Sequence, residues 1–125
     1  MMKTVLLALI TALAASPAFC GEIHIPGYEV IHFKADSIEQ QVFFRNPEEN
    51  ESSFRMSIYL SDGSLIWKSK DVLNPGEVFL RIDLERELRR GIYTNALLKY
   101  ECWTVDGKYR MNGAEMRVTL LMGLG

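Results

Sequence analysis

The chain has 125 residues, which is enough for one domain of ordinary size. It carries 14 Lys and Arg against 16 Asp and Glu, a formal net charge of −2. A mildly acidic chain is a poor candidate for binding nucleic acid, because the phosphate backbone favours a basic face. We therefore expect a single domain and no nucleic-acid partner.

The first residues predict an export signal rather than a part of the fold. One positive charge, Lys3, precedes an apolar run over residues 5–15, and small residues flank Pro17 at the two positions that a signal peptidase reads. The apolar run is well short of the about 20 residues that a membrane-spanning helix needs. We predict a cleavable signal helix within residues 1–18, a domain over residues 19–125, and a secreted or periplasmic, cell-envelope protein that is not integral to the membrane.

Two cysteines, Cys20 and Cys102, leave several outcomes open at the end of the signal. Cleavage after Ala18 keeps Cys20, cleavage after Cys20 removes it, and lipidation of Cys20 is the third alternative. If Cys20 remains, an oxidising compartment allows a disulfide to Cys102 that fastens the N-terminal segment to the core. If Cys20 is lost, Cys102 is a small buried hydrophobic residue.

Apolar and polar residues alternate along most of the remaining chain, and this is the period of a half-buried strand. The clearest case is residues 54–60, where Phe54, Met56 and Ile58 share one face. The longest case is residues 91–106, which we predict to be a central strand with Leu98, Tyr100 and Cys102 facing inward. In the strand predicted at residues 78–84, the alternation places a second apolar face toward the core: Val78, Leu80, Ile82 and Leu84. The predicted strands, about seven in number, cover residues 28–34, 38–45, 54–60, 65–68, 78–84, 91–106 and 114–122.

Turn residues separate these strands at intervals of about 8 to 12 residues. Asp-Gly pairs at residues 62–63 and 106–107 predict type I′ hairpin turns, in which both central residues have positive φ. Residues 84–91 break the alternation and predict a single helical turn. The whole pattern favours an all-β fold, a single antiparallel β-sandwich, with a small barrel as the alternative.

Two short motifs bracket the strand predicted at residues 78–84. The sequence Leu-Asn-Pro-Gly at residues 73–76 precedes it, and Gly-Ile-Tyr at residues 91–93 opens the next long strand. This stretch resembles immunoglobulin-like and fibronectin type III-like modules. The resemblance implies a sandwich fold in which Tyr93 makes a structural corner hydrogen bond, and it implies no particular activity.

A second resemblance is to small secreted bacterial proteins. They share a strand like Lys-Tyr-Glu-Cys, here residues 99–102, and a turn like Asn-Gly-Ala, here residues 112–114. This similarity also brings no activity with it.

The sequence contains no arrangement of reactive residues that predicts catalysis. It has no Gly-x-Ser-x-Gly elbow, no phosphate-binding loop and no His-Glu-x-x-His motif. Its two histidines, His24 and His32, are not at the spacing of a zinc site. We therefore predict a protein that is not an enzyme and holds no cofactor or metal.

Aromatic side chains at outward strand positions are the candidate binding residues. Tyr59 and Trp103 take the outward phase of their strands, and Trp67 and Tyr109 lie beside hairpin turns. Such rings stack on sugars or anchor a protein partner, because they bury a large area at little entropic cost. Local packing under loops is the alternative for all four.

Three functions fit these features. We favour a non-catalytic binding or assembly module of the cell envelope, acting on a protein or glycan partner through a sheet face or an edge strand. Residues 38–45 and 114–122 are the candidate edge strands, because both are long and apolar. The alternatives are a carbohydrate-binding module and a small secreted enzyme or enzyme inhibitor.

Overall fold

A computed structural model describes residues 2–6 and 24–123 of the chain. All the regular elements in these residues are β-strands, so the all-β prediction is confirmed for them. The strands are β1 (Met2–Leu6), β2 (His24–Tyr28), β3 (Val30–Lys34), β4 (Glu39–Arg45), β5 (Ser52–Tyr59), β6 (Leu65–Lys68), β7 (Val78–Asp83), β8 (Gly91–Thr104) and β9 (Arg110–Gly123). Within the described ranges there is no helix that could cross a bilayer.

The predicted signal peptide, residues 1–18, falls mostly outside the described residues. The part that is described, β1, is an extended strand rather than the start of a helix. It pairs antiparallel with β2, from Met2 opposite Tyr28 to Leu6 opposite His24. Signal cleavage, export and lipidation stay predictions.

A five-stranded sheet with the order β3-β9-β8-β5-β6 forms the larger part of the fold. The predicted central strand, β8, lies in its middle and pairs antiparallel with both β5 and β9. At one edge, however, β3 pairs with β9 in parallel, from Val30 opposite Thr119 to Lys34 opposite Gly123. The prediction of a wholly antiparallel arrangement is therefore wrong, because strands far apart in the chain are not held antiparallel by a hairpin. The prediction of residues 114–122 as an edge strand is also wrong, because β9 lies between β3 and β8.

β4 and β7 form a separate antiparallel sheet of two strands. Their ladder is irregular between Gln41 and Phe44, and the side chains of β7 do not alternate across it. Ile82 is 5% exposed, but Val78 and Leu80 are 40% and 60% exposed. The prediction that all the apolar residues of this strand face the core is therefore wrong.

Side chains from the two sheets share one hydrophobic core. The ring centroid of Phe44 on β4 lies 5.6 Å from that of Trp67 on β6, and Trp67 lies 6.0 Å from Phe79 on β7. The predicted inward faces of β5 and β8 are confirmed. The side chains that form them are at most 1% exposed: Phe54, Met56, Ile58, Leu98, Tyr100 and Cys102.

Both Asp-Gly pairs lie in hairpin turns, but neither turn has the predicted type I′ geometry. Only the glycines have positive φ, 88° at Gly63 and 77° at Gly107. The aspartates act instead through their carboxylates, as when Asp106 Oδ1 accepts a hydrogen bond of 2.9 Å from the Lys108 N–H. Such a hydrogen bond to an Asp side chain stabilises a tight turn, so only the glycine of each pair needs the left-handed conformation.

Residues 84–90 connect β7 to β8 without the predicted helical turn. Leu84 and Leu88 are 3% and 4% exposed and join the core. The Glu85 N–H donates to the carbonyl of Ile66 at 2.7 Å. Contacts with the core and with β6 thus take the place of the local bonds of a helix.

Candidate binding surface

Trp67 lies in the core and cannot belong to a binding surface. Its side chain is 4% exposed, and its ring meets Phe79 edge-on at 89° and Phe44 at 38°. It pairs opposite Ile58, which is fully buried. The prediction of Trp67 as an exposed residue is wrong, because a strand of four residues is too short for its sequence alone to indicate which face is outward.

Tyr59 and Trp103 lie on the same outer face of the five-stranded sheet, and both are half-buried. In the ladder between β5 and β8, Tyr59 is opposite Leu97 and Trp103 is opposite Ser53. Six residues of strand separate the two positions, a distance of about 20 Å. The two rings therefore cannot stack on one small ligand.

Trp103 and Tyr109, by contrast, both belong to the end of the β8–β9 hairpin, which we call the hairpin tip (residues 103–110). The Thr104 N–H donates to the Tyr109 carbonyl at 2.8 Å, and the Tyr109 N–H donates to Thr104 Oγ1 at 3.1 Å. Tyr109 is 53% exposed and Val105 is 58% exposed. The hairpin tip thus presents apolar side chains to solvent on a backbone held by hydrogen bonds.

The indole of Trp103 is oriented by a neighbour on its own strand. Its Nε1–H donates to Glu101 Oε1 at 3.0 Å, which leaves the ring itself as the part available to a ligand. A pocket of about 140 Å³ lies beside this ring, lined by Ser53, Arg55, Val72, Trp103, Thr104, Val105 and Gly107. Clefts for drug-sized ligands have about 300 to 1,000 Å³, so this pocket suits one side chain or one small group of a partner.

Basic side chains border the hairpin tip. Arg110 is exposed and pairs opposite Trp103, while Arg55 lines the pocket. The acidic residue of the tip, Asp106, accepts hydrogen bonds within its own loop from the Thr104 side chain and the Lys108 backbone. These bonds hold the pKa of Asp106 below its usual value. The resulting combination of Trp, Tyr and Arg is the one most enriched at the centres of protein interfaces.

Among the described residues, this surface has neither a metal-binding cluster nor a reactive thiol. In the part of the chain that the structure describes, no three His, Cys, Asp or Glu side chains come together to hold a metal ion. Cys102 is fully buried next to the hairpin tip, and burial raises the pKa of its thiol to about 12. A protonated and inaccessible thiol is a poor nucleophile.

Three predicted residues remain, the possible disulfide pair Cys20 and Cys102 and the corner residue Tyr93. Cys102 has no disulfide partner among the described residues, and Cys20 lies outside them, so the disulfide between the two stays a prediction. Tyr93 Oη donates to the Arg89 carbonyl at 2.8 Å and so ties the start of β8 to the connection before it. This is the kind of bond that the resemblance implied for Tyr93.

Sequence reasoning missed two parts of the exposed surface. At the hairpin tip it missed Val105 and Arg110, although residues beside an Asp-Gly turn are expected at the surface. On the outer face of the small sheet it missed Phe43 and Leu80, 51% and 60% exposed, because period-two spacing had placed Leu80 in the core.

No protein-family model, curated protein or solved structure matches this chain. Its function is therefore inferred from the surface alone.

Proposed function

We propose that this protein is a non-catalytic binding module of the cell envelope or the secreted fraction, and that its hairpin tip contacts a protein partner. One observation carries the proposal: Trp103, whose N–H group is already satisfied, and exposed Val105 line one pocket, and exposed Tyr109 belongs to the same hairpin tip. Aromatic residues with nearby arginines dominate the binding energy of interfaces. Export rests on the predicted signal in residues 1–18.

An immunoglobulin-like β-sandwich is the scaffold that we propose for this surface. The core shared by the two sheets supports it, as does the corner bond from Tyr93 to Arg89. In such a scaffold the loops cluster at the ends of the sheets, where loop residues are free to make contacts. The hairpin tip lies at one of those ends.

Capture of partners from an envelope extract tests the protein-binding proposal. We expect Trp103→Ala and Tyr109→Ala each to lower the affinity for a captured partner about fivefold or more. Truncating an interface anchor costs more than about 1 kcal/mol of binding free energy. Tyr59→Ala is the matched control, because Tyr59 lies on the same sheet face about 20 Å away. Equal binding by all three variants, with their thermal stability unchanged, contradicts the proposal.

A glycan ligand is the second candidate, favoured by the small pocket beside the Trp103 ring with Arg55 and Ser53 in its lining. Stacking of a sugar on an aromatic ring needs only one exposed face of the ring. The chain has two tryptophans, and Trp67 is buried, so ligand-induced fluorescence changes report on Trp103. A glycan array that is silent with the native protein rules this candidate out, whereas binding that Trp103→Phe retains and Trp103→Ala loses supports it.

A further inference from the structure

One side of the β4 backbone has no partner strand among the described strands, since β4 pairs only with β7. At its two ends, the carbonyl of Ile38 accepts the Leu84 N–H at 2.9 Å, and the Asn46 N–H donates to the Glu77 carbonyl at 3.0 Å. Backbone groups alternate in direction along a strand. Counting forward from Ile38 and back from Asn46 gives the same phase on both sides of the irregular step between Gln41 and Phe44, so even-numbered residues of β4 bond to β7. The residues whose N–H and C=O groups point to the open side are Glu39, Gln41, Phe43 and Arg45.

The side chains of these four residues complement those of a second copy of the same strand. If two copies of β4 pair antiparallel with Val42 at the centre, Glu39 of each copy lies opposite Arg45 of the other. Gln41 then lies opposite Phe43, and all four residues are in the phase that forms inter-strand hydrogen bonds. Opposite charges at directly facing positions stabilise a strand pair, and the two-fold symmetry supplies this pair twice.

The exposed ring of Phe43 supports the same register. It is 51% exposed on the outer face of an edge strand, where a large apolar side chain promotes pairing with another chain. With Val42 at the axis, the two copies of Phe43 are diagonal neighbours, about 7 to 8 Å apart and within reach of aromatic side chains. Pairing thus covers a ring that the single copy leaves in water.

Tyr28 competes with a second copy for the same edge. Its Oη donates to the Phe43 carbonyl at 3.1 Å, and the Arg45 backbone hydrogen-bonds the same hydroxyl. Both residues are among the four that point to the open side. The hydroxyl therefore covers part of the edge, and a strand that pairs there must displace it.

We propose that the protein forms a symmetric dimer through antiparallel pairing of β4 with β4 of a second copy, and that the Tyr28 hydroxyl weakens this dimer by occupying the same backbone groups. The dimer contains a continuous four-stranded sheet in the order β7-β4-β4-β7. The hairpin tip lies on other strands and stays accessible, so this proposal is independent of the binding function.

Sedimentation of the purified protein over a wide range of concentrations tests the proposal. We expect a reversible monomer–dimer equilibrium that Arg45→Glu and Glu39→Arg each weaken about tenfold or more, because like charges then face each other at two symmetric positions. The double variant that carries both changes should regain the affinity. Tyr28→Phe should strengthen the dimer, because it removes the competing hydroxyl.

Two further variants separate the β4 edge from other contacts. Gln41→Pro removes an N–H that points away from β7, so it should abolish the dimer and spare the ladder with β7. Arg117→Glu makes the same charge change as Arg45→Glu on β9 and should leave the dimer unchanged. The chain remaining monomeric at every concentration overturns the proposal, and so does a dimer that Arg117→Glu weakens but Arg45→Glu does not. If Gln41→Pro fails to fold, the charge-reversal series decides alone.

Discussion

At the scale of single residues, two adjacent serines at the start of β5 have opposite surroundings. Ser52 and Ser53 are 1% and 2% exposed. Ser53 Oγ donates to Asn74 Oδ1 at 2.6 Å, whereas Ser52 Oγ has no hydrogen-bond partner in the described part of the chain. Burying a hydroxyl costs desolvation free energy, and a hydrogen bond to a partner compensates for that cost. The Ser52 hydroxyl has no such compensation among the described residues.

The two serines give a matched pair of substitutions. We expect Ser53→Ala to lower the free energy of unfolding by about 1 kcal/mol, because it removes a partly buried hydrogen bond and leaves Asn74 Oδ1 without this donor. Ser52→Ala should leave stability unchanged or raise it by up to about 1 kcal/mol, because it removes an unsatisfied polar atom. Urea unfolding of both variants measures the difference, and an equal loss in the two contradicts it.

At the scale of elements, one buried side chain joins the ends of three segments. Asn46 follows β4 directly and is 1% exposed. Its Nδ2 donates to the carbonyls of Ser52 and Leu73, at 2.8 and 2.9 Å, and its Oδ1 accepts from Asn50 Nδ2 at 2.8 Å. The end of β4, the start of β5 and the turn before β7 are thus held together by hydrogen bonds to one amide.

Removal of this amide should be costly. We expect Asn46→Ala to lower the free energy of unfolding by about 3 kcal/mol, because it breaks three buried hydrogen bonds at once and leaves their partner groups without these bonds. Gln41→Ala is the control on the same strand; its exposed side chain should change stability by less than about 0.5 kcal/mol. Chemical unfolding of the two variants checks this, and a loss at Asn46 no larger than at Gln41 would show that the amide does not join the elements.

At the scale of the whole molecule, the core contains several groups that ionise only in strong alkali. Burial raises the pKa of Cys102 to about 12. Burial also raises the pKa of Tyr28 to about 12, against the opposing effect of a hydrogen bond from the Arg45 backbone. Burial also raises the pKa of Tyr100 well above its usual value. All three hold their protons more tightly in the folded chain than in the unfolded chain, where the ordinary values are about 8.5 for Cys and about 10 for Tyr.

These shifts define the pH range in which the fold loses stability. Their contribution is fully present below about pH 8.5 and decreases as the pH rises toward 12, because the unfolded chain then releases protons that the folded chain retains. We expect urea unfolding to show a falling free energy of unfolding from about pH 9 upward. The fall should be smaller in the double variant Tyr100→Phe and Cys102→Ala.

An alkaline fall of the same size in the native protein and in the Tyr100 and Cys102 double variant would mean that the core groups do not cause it.

The sequence by itself predicted the features that depend on short-range pattern in long strands. Fourteen residues of β8 and eight of β5 are enough for period-two spacing to identify the inward face, and the side chains of Phe54 and Leu98 are fully buried as expected. The Asp-Gly pairs located both hairpin turns, since glycine supplies the positive φ there. Of the candidate site, Trp103 and Tyr109 were identifiable in the same way.

The way in which these elements combine is visible only in the folded chain. The parallel pairing of β3 with β9 joins opposite ends of the described domain, and no local pattern encodes it. The burial of Trp67 depends on Phe44 and Phe79, which come from the other sheet, and the open edge of β4 depends on which strands pair elsewhere. Alternation specifies which side of a strand is apolar, whereas the neighbours of that strand follow from long-range packing that adjacent residues do not determine.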